Sequence, residues 1–122
     1  MSDGAERLKQ RTMRFALDVC ELITQLPPSE PGSTARRQLA RAATSVAFNY
    51  RACCRARSHA EFTSRIAIVA EEADESQGWL EFIDAAGLIA SSDIKRPSEE
   101  ASQLVAILSA SVGTARRRER NR

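Results

Sequence analysis

At 122 residues the chain can fold as one domain with a real core and is too short for two ordinary ones, and 43% hydrophobic with 28% charged residues argues against disorder along its length. The formal charge of +2 hides strong segregation: residues 1–57 carry ten Lys/Arg against five Asp/Glu, residues 58–100 three against ten, and residues 101–122 five against one. No apolar run approaches the ~20 residues of a membrane span, and the first residues hold no apolar signal-peptide core, so the expected location is the cytoplasm.

The first predicted helix covers residues 5–26. Leu8, Phe15, Val19, Leu22 and Leu26 recur at heptad-like spacing, and Ala16 and Ile23 widen the apolar face. Pro27 and Pro28 stop it, because proline cannot continue the hydrogen-bond ladder and the residue before a proline avoids the α region. After the stiff segment PPSEPGS, Ser33 is the expected N-cap of a second helix over 33–57.

That second helix carries two stripes at one period. Leu39, Ala42, Ala43, Val46, Tyr50 and Cys53 form a narrow seam of small residues that lets a neighbouring helix approach closely. On another side Arg37, Arg41, Arg51 and Arg55 flank Phe48. Four cations around one aromatic can track a phosphate backbone, and a plain solvated face has the same appearance. Asn49, beside the seam, is read as a structural polar residue that fixes helix register through a buried hydrogen bond.

Ser58 and Glu61 match a capping box with apolar Phe62 directly after, which predicts a third helix over 59–86. Its seam is Phe62, Ile66, Val69, Ala73, Leu80 and Ile83, and Gly87 followed by Leu88 suits a left-handed stop. Its outer positions, among them Glu71, Glu72, Asp74 and Glu75, are acidic. His59 is expected to face solvent at the helix start. A fourth helix over 93–116 has two candidate caps, Ser92 and Ser98, with Pro97 tolerated in the first turn of either. Ala101, Leu104, Val105, Leu108, Val112 and Ala115 give its apolar stripe, and residues 118–122 are expected to form a disordered basic tail. Four amphipathic segments joined by short connections predict an all-α, antiparallel up-down-up-down four-helix bundle over residues 1–117.

Enzyme chemistry finds little support. A di-iron bundle needs Glu-x-x-His pairs from two helices, and the only histidine, His59, does not follow a glutamate by three positions. Cys20, Cys53 and Cys54 have neither an even count nor a CxxC spacing, and no phosphate loop or nucleophile elbow occurs. No catalytic residue, metal, cofactor or small-molecule substrate is therefore expected. The candidate nucleic-acid contacts are Arg37, Arg41, Phe48, Arg51 and Arg55, with Arg116, Arg117 and Arg118 near the C-terminus, and Arg7, Lys9, Arg11 and Arg14 near the N-terminus add positive charge. The alternative is assembly alone, the basic face of the second helix meeting the acidic face of the third across a head-to-tail subunit interface.

The blocks QLARAATSVAFN (38–49), SHAEF (58–62), RIAIVAEEADES (65–76) and WLEF (79–82), with LPPSE (26–30) and ILSASVGTAR (107–116), resemble the small four-helix bundle proteins encoded in intervening sequences of bacterial 23S ribosomal RNA genes. The resemblance implies a ring-like homopentamer with no established activity. Distantly similar pentameric bundles are accessory proteins of reverse transcriptases that bind nucleic acid through basic surface, so the partners it implies are further copies of the chain and RNA or DNA, not a membrane. After Asn49 many relatives continue with an Ile-Ala-Glu-Gly type segment where this chain has Tyr50, Arg51, Ala52 and Cys53, and any role of that acid is not carried over.

Overall fold

The computed structural model describes residues 2–121, which form four helices and no strand: α1 (Asp3–Leu22), α2 (Gly32–Cys53), α3 (His59–Ala85) and α4 (Ser91–Arg120). α2 packs against both α1 and α3, α3 packs against α4, and a looser α1–α4 contact closes the ring. Interhelical bonds fix the antiparallel register. Arg41 of α2 meets Glu72 and Glu75 of α3, His59 of α3 meets Ala115 of α4, and Arg11 of α1 meets Glu100 of α4. None of the described helices is long and apolar enough to cross a membrane.

The boundaries of α1, α2 and α3 have local causes. Ser2 caps α1, its Oγ accepting from Ala5 N–H at 3.1 Å. The helix gives way at Leu22, not at 26, to a 3-10 turn over Ile23–Gln25, and Leu26 leaves it extended and buried, as the following proline requires. α2 begins one residue before the expected Ser33 cap. Pro31 occupies the cap position without a side-chain bond, and the Glu30 carboxylate instead accepts from Thr34 N–H at 2.7 Å. A side chain at Gly32 would overlap the Pro27 carbonyl oxygen, so glycine is what lets the helix start beneath the proline loop.

α2 ends at Cys53, four residues short of the expected 57. The amides of Arg55 and Ala56 bond back three residues, to Ala52 and Cys53, which tightens the chain and leaves Ser58 extended at φ −153°. Ser58 Oγ then accepts from Glu61 N–H at 3.1 Å and starts α3. Gly87, at φ +65°, ends that helix, with Leu88 N–H bonded to the Ile83 carbonyl at 3.1 Å.

α4 differs most from the sequence reading. It starts at Ser91, with Ala90 at the cap, and neither Ser92 nor Ser98 caps it. The amides of Asp93 and Ile94 bond the Ala90 carbonyl at 2.9 and 3.2 Å, and Ile94 in this first turn is 2% exposed. Pro97 consequently lies inside the helix. At the far end, residues 118–120 are helical and not a disordered tail, the helix closing with Asn121 N–H on the Arg117 carbonyl at 3.1 Å. Arg122 lies outside the described residues.

The core runs the length of the bundle through Phe15, Val19, Leu39, Val46, Ile66, Val69, Leu80, Ile83, Leu104 and Leu108. The alanines of α2, Ala35, Ala42, Ala43 and Ala47, are fully or almost fully buried, consistent with close helix approach. Two buried polar residues, Thr12 and Ser76, bond to carbonyls of their own helices, at Lys9 and Glu72.

Candidate nucleic-acid interface

The antiparallel topology brings the C-terminal ends of α2 and α4 beside the N-terminal end of α3. Residues 50–66 and 110–121, which build this end, hold eight arginines against two glutamates. Residues 18–38 and 78–100, towards the opposite end, hold eight acids against four bases. The charge blocks of the sequence thus become a polarity along the bundle axis, with one basic end and one acidic end.

At the basic end, Phe48, Arg51, Ala52, Arg55, Arg57, Glu61 and Arg65 line an open recess of about 410 Å³ between α2 and α3. Phe48 is 55% exposed. Arg51 follows it by three residues on the same face of α2, and Arg55 by seven, in the turn after the helix. Glu61 is the one carboxylate of the lining, and its bonds are taken: it accepts from the Arg57 amide at 3.2 Å and from Arg65 Nε at 3.1 Å, and it lies 3.6 Å from Arg57 Nε. The Arg57 amide bond, then the Arg65 bond and the two guanidinium charges hold its carboxyl below the usual carboxylate range. Among the described residues Arg51, Arg55, Arg116, Arg117 and Arg118 form no ion pair with a carboxylate.

A second recess of about 510 Å³ lies on the other side of the α3 N-terminus, lined by His59, Phe62, Ser111, Thr114 and Arg118 among others. His59 is half-buried there and not solvent-facing, because its Nε2 lies 3.0 Å from the Ala115 carbonyl oxygen of α4. An acceptor-only partner sets Nε2 as the protonated nitrogen.

The predicted contacts therefore divide. Phe48, Arg51 and Arg55 share one recess, and Arg116, Arg117 and Arg118 project from the exposed last turns of α4 at the same end. Arg37 and Arg41 stand apart from this group. Arg37 lies towards the other end and bonds Ser33 Oγ at 2.8 Å, while Arg41 bridges Glu72, at 2.8 Å, and Glu75. Arg57 and Arg65 belong to the site although their sequence positions did not single them out; Arg57 is a turn residue, and Arg65 is one turn beyond the capping-box glutamate. Asn49 does not bridge helices. Its amide donates to the Ser45 carbonyl of its own helix at 2.9 Å, a bond available in any register.

On α3, Arg65, Ile68, Glu72, Glu75, Trp79 and Phe82 recur at three- and four-residue steps along the edge beside α2. Ile68 and Phe82 are exposed, and half-buried Trp79 packs edge-on to Phe82 with ring centroids 5.3 Å apart. Leu17 is the exposed apolar residue of α1.

Four antiparallel helices with a polarised surface and an arginine-lined recess define a small all-α helical bundle. The chain belongs to the 23S rRNA-intervening sequence protein family, whose model matches residues 6–110. The fold is also that of a solved protein with unknown function from the S23 ribosomal protein family of Bacteroides thetaiotaomicron VPI-5482: 23% of residues are identical, 85% of this chain and 96% of that one are covered, and the TM-score is 0.78. Among curated proteins nothing matches the chain.

Proposed function

We propose that the protein is a non-enzymatic, cytoplasmic accessory bundle that assembles with further copies of itself, five by the family resemblance, and binds RNA or DNA through the basic end of each copy. The observation that carries the reading is the concentration of eight arginines against two glutamates at one end, with Arg51, Arg55, Arg116, Arg117 and Arg118 free of carboxylate partners among the described residues. Guanidinium groups on phosphate oxygens give affinity that is independent of sequence and weakened by salt. Copies in one assembly multiply weak contacts, provided that one strand reaches several of them. The acidic end repels the same ligand and so orients it.

The assembly half of the proposal draws support from the Ile68, Trp79 and Phe82 edge of α3, an apolar surface that a second copy would cover. A protein scaffold without nucleic acid is the second reading, favoured by the same edge. Its electrostatic version, basic α2 against acidic α3 between subunits, is weakened because Arg41 already meets Glu72 and Glu75 within the chain.

Light scattering with and without a short RNA, together with titration of labelled RNA and DNA at ~50 and ~200 mM salt, tests both halves. A mass near that of five chains, rising with RNA and with affinity falling at the higher salt, is the expected result. A multimer that ignores nucleic acid at the lower salt selects the scaffold, and a monomer removes the assembly claim.

A further inference from the structure

We infer that the recess at Phe48 is a subsite for single-stranded nucleic acid, in which an unpaired base stacks on the Phe48 ring while neighbouring phosphates pair with Arg51 and Arg55. The inference rests on the nucleic-acid reading above and narrows it to one strand class and one set of side chains.

Phe48 is the most exposed of the large apolar residues among those described, yet its surroundings are cationic. A phenyl ring among guanidinium groups suits a ligand that offers a π face and negative charge together, which an unpaired nucleotide does. A second copy of the chain would instead have to set carboxylates of its acidic end against Arg51 and Arg55, an arrangement that the solution mass of a Phe48 variant reads out below. Arg51 lies one turn on from Phe48, ~4.5 Å along the helix axis at a rise of ~1.5 Å per residue, and Arg55, in the turn that follows α2, lines the same recess. Ala52, one turn after Phe48, adds only a methyl group to the lining, and Arg65, held by Glu61 at 3.1 Å, lines the recess from α3. The recess, at about 410 Å³, is open to solvent, so a strand can cross it while one base lies against the ring. A duplex keeps its base faces stacked on one another and offers this site phosphates alone.

Fluorescence anisotropy at ~50 mM salt, with a labelled oligothymidylate, an abasic strand of equal length and a hairpin duplex, separates the contributions. Wild-type protein is expected to bind the oligothymidylate about tenfold more tightly than the duplex or the abasic strand, in line with the ~1–3 kcal/mol that a stacked base contributes. Phe48→Ala removes that advantage and leaves the other two affinities unchanged, whereas Arg51→Ala/Arg55→Ala weakens binding of all three. Phe48 is exposed, so its truncation leaves the core intact, and circular dichroism checks the fold. Equal binding of strand and duplex, or a Phe48→Ala protein indistinguishable from wild type on the oligothymidylate, overturns the stacking subsite while the phosphate reading stands. A Phe48→Ala protein of altered solution mass assigns the ring to a subunit interface and also overturns it. Absence of binding to every probe removes the broader nucleic-acid function and the subsite with it.

Discussion

Tyr50 and Cys53 stand one turn apart on the buried seam of α2, 6% and 2% exposed. Burial pushes the Tyr50 hydroxyl up to about 12 from 10.0, with Cys54 and Cys53 adding to it, and pushes the Cys53 thiol up to about 12 from 9.0, with Cys54 adding and Arg65 opposing. Both groups are neutral in the folded protein near neutral pH, and neither is poised as a nucleophile. Their raised values make the bundle alkali-sensitive. Below about pH 8 their contribution is complete. As pH rises towards 12 the unfolded chain ionises first, binds fewer protons than the folded one, and stability falls by up to ~1.4 kcal/mol per pH unit for each group. Urea midpoints measured between pH 8 and 11 should therefore drop steeply, and Tyr50→Phe, which keeps the ring, should make the drop shallower while changing the midpoint at pH 7 little. Equal slopes for the two proteins would show that Tyr50 ionises no more readily after unfolding.

At the scale of the helix, the two ends of α3 were legible from sequence because their signals are local: Ser58 and Glu61 lie within one turn of each other, and Gly87 supplies its own left-handed backbone. The N-cap bond contributes ~1 kcal/mol, so Ser58→Ala should lower the melting temperature by ~3–5 °C. The start of α4 was not legible. Ser92 and Ser98 offer equal local cap signals with Pro97 tolerated after either, whereas the observed start at Ser91 accompanies tertiary burial of Ile94, which no local pattern contains. The register of α4 thus keeps Pro97 in the helix, where its ring faces the Asp93 carbonyl without an amide to offer. An interior proline costs ~3 kcal/mol and returns at most ~1 kcal/mol by restraining the unfolded chain, so Pro97→Ala should stabilise the protein by ~1–2 kcal/mol. Thermal unfolding of the variant measures this directly, and an unchanged or lower midpoint would mean that packing of Pro97 in the α1–α4 groove outweighs the backbone gain.

Across the whole molecule, the all-α class and most seam positions could be read from spacing, although α3 carries apolar Ile68 and Phe82 on its exposed side as well and has no clean apolar face. The basic end could not be read in the same way. Blocks of charge along a chain acquire direction only when the helices are laid antiparallel, and then Arg51, Arg55 and Arg57, which precede α3, come to share an end with Arg116, Arg117 and Arg118, which lie about 60 residues later. Arg41 shows the converse. It belongs to the same stripe as Arg51 by periodicity, yet α3 supplies Glu72 and Glu75 at its level, and its charge is neutralised within the chain. The last turns of α4 carry Arg116, Arg117 and Arg118 exposed, beyond Ala115, the last buried residue of that helix. Neutralising these three as Arg116→Gln, Arg117→Gln and Arg118→Gln should then separate stability from binding. The melting temperature should stay nearly constant, since exposed substitutions away from caps and core usually fall within ±0.5 kcal/mol. Every arginine that holds a phosphate adds ~0.7 to the slope of log affinity against log salt for a single strand, so the triple variant should be shallower than wild type by ~2. Titrations of a labelled oligothymidylate from ~50 to ~300 mM salt measure that slope. A slope equal to that of wild type would place the bound strand on the α2–α3 recess alone and leave the end of α4 outside the interface.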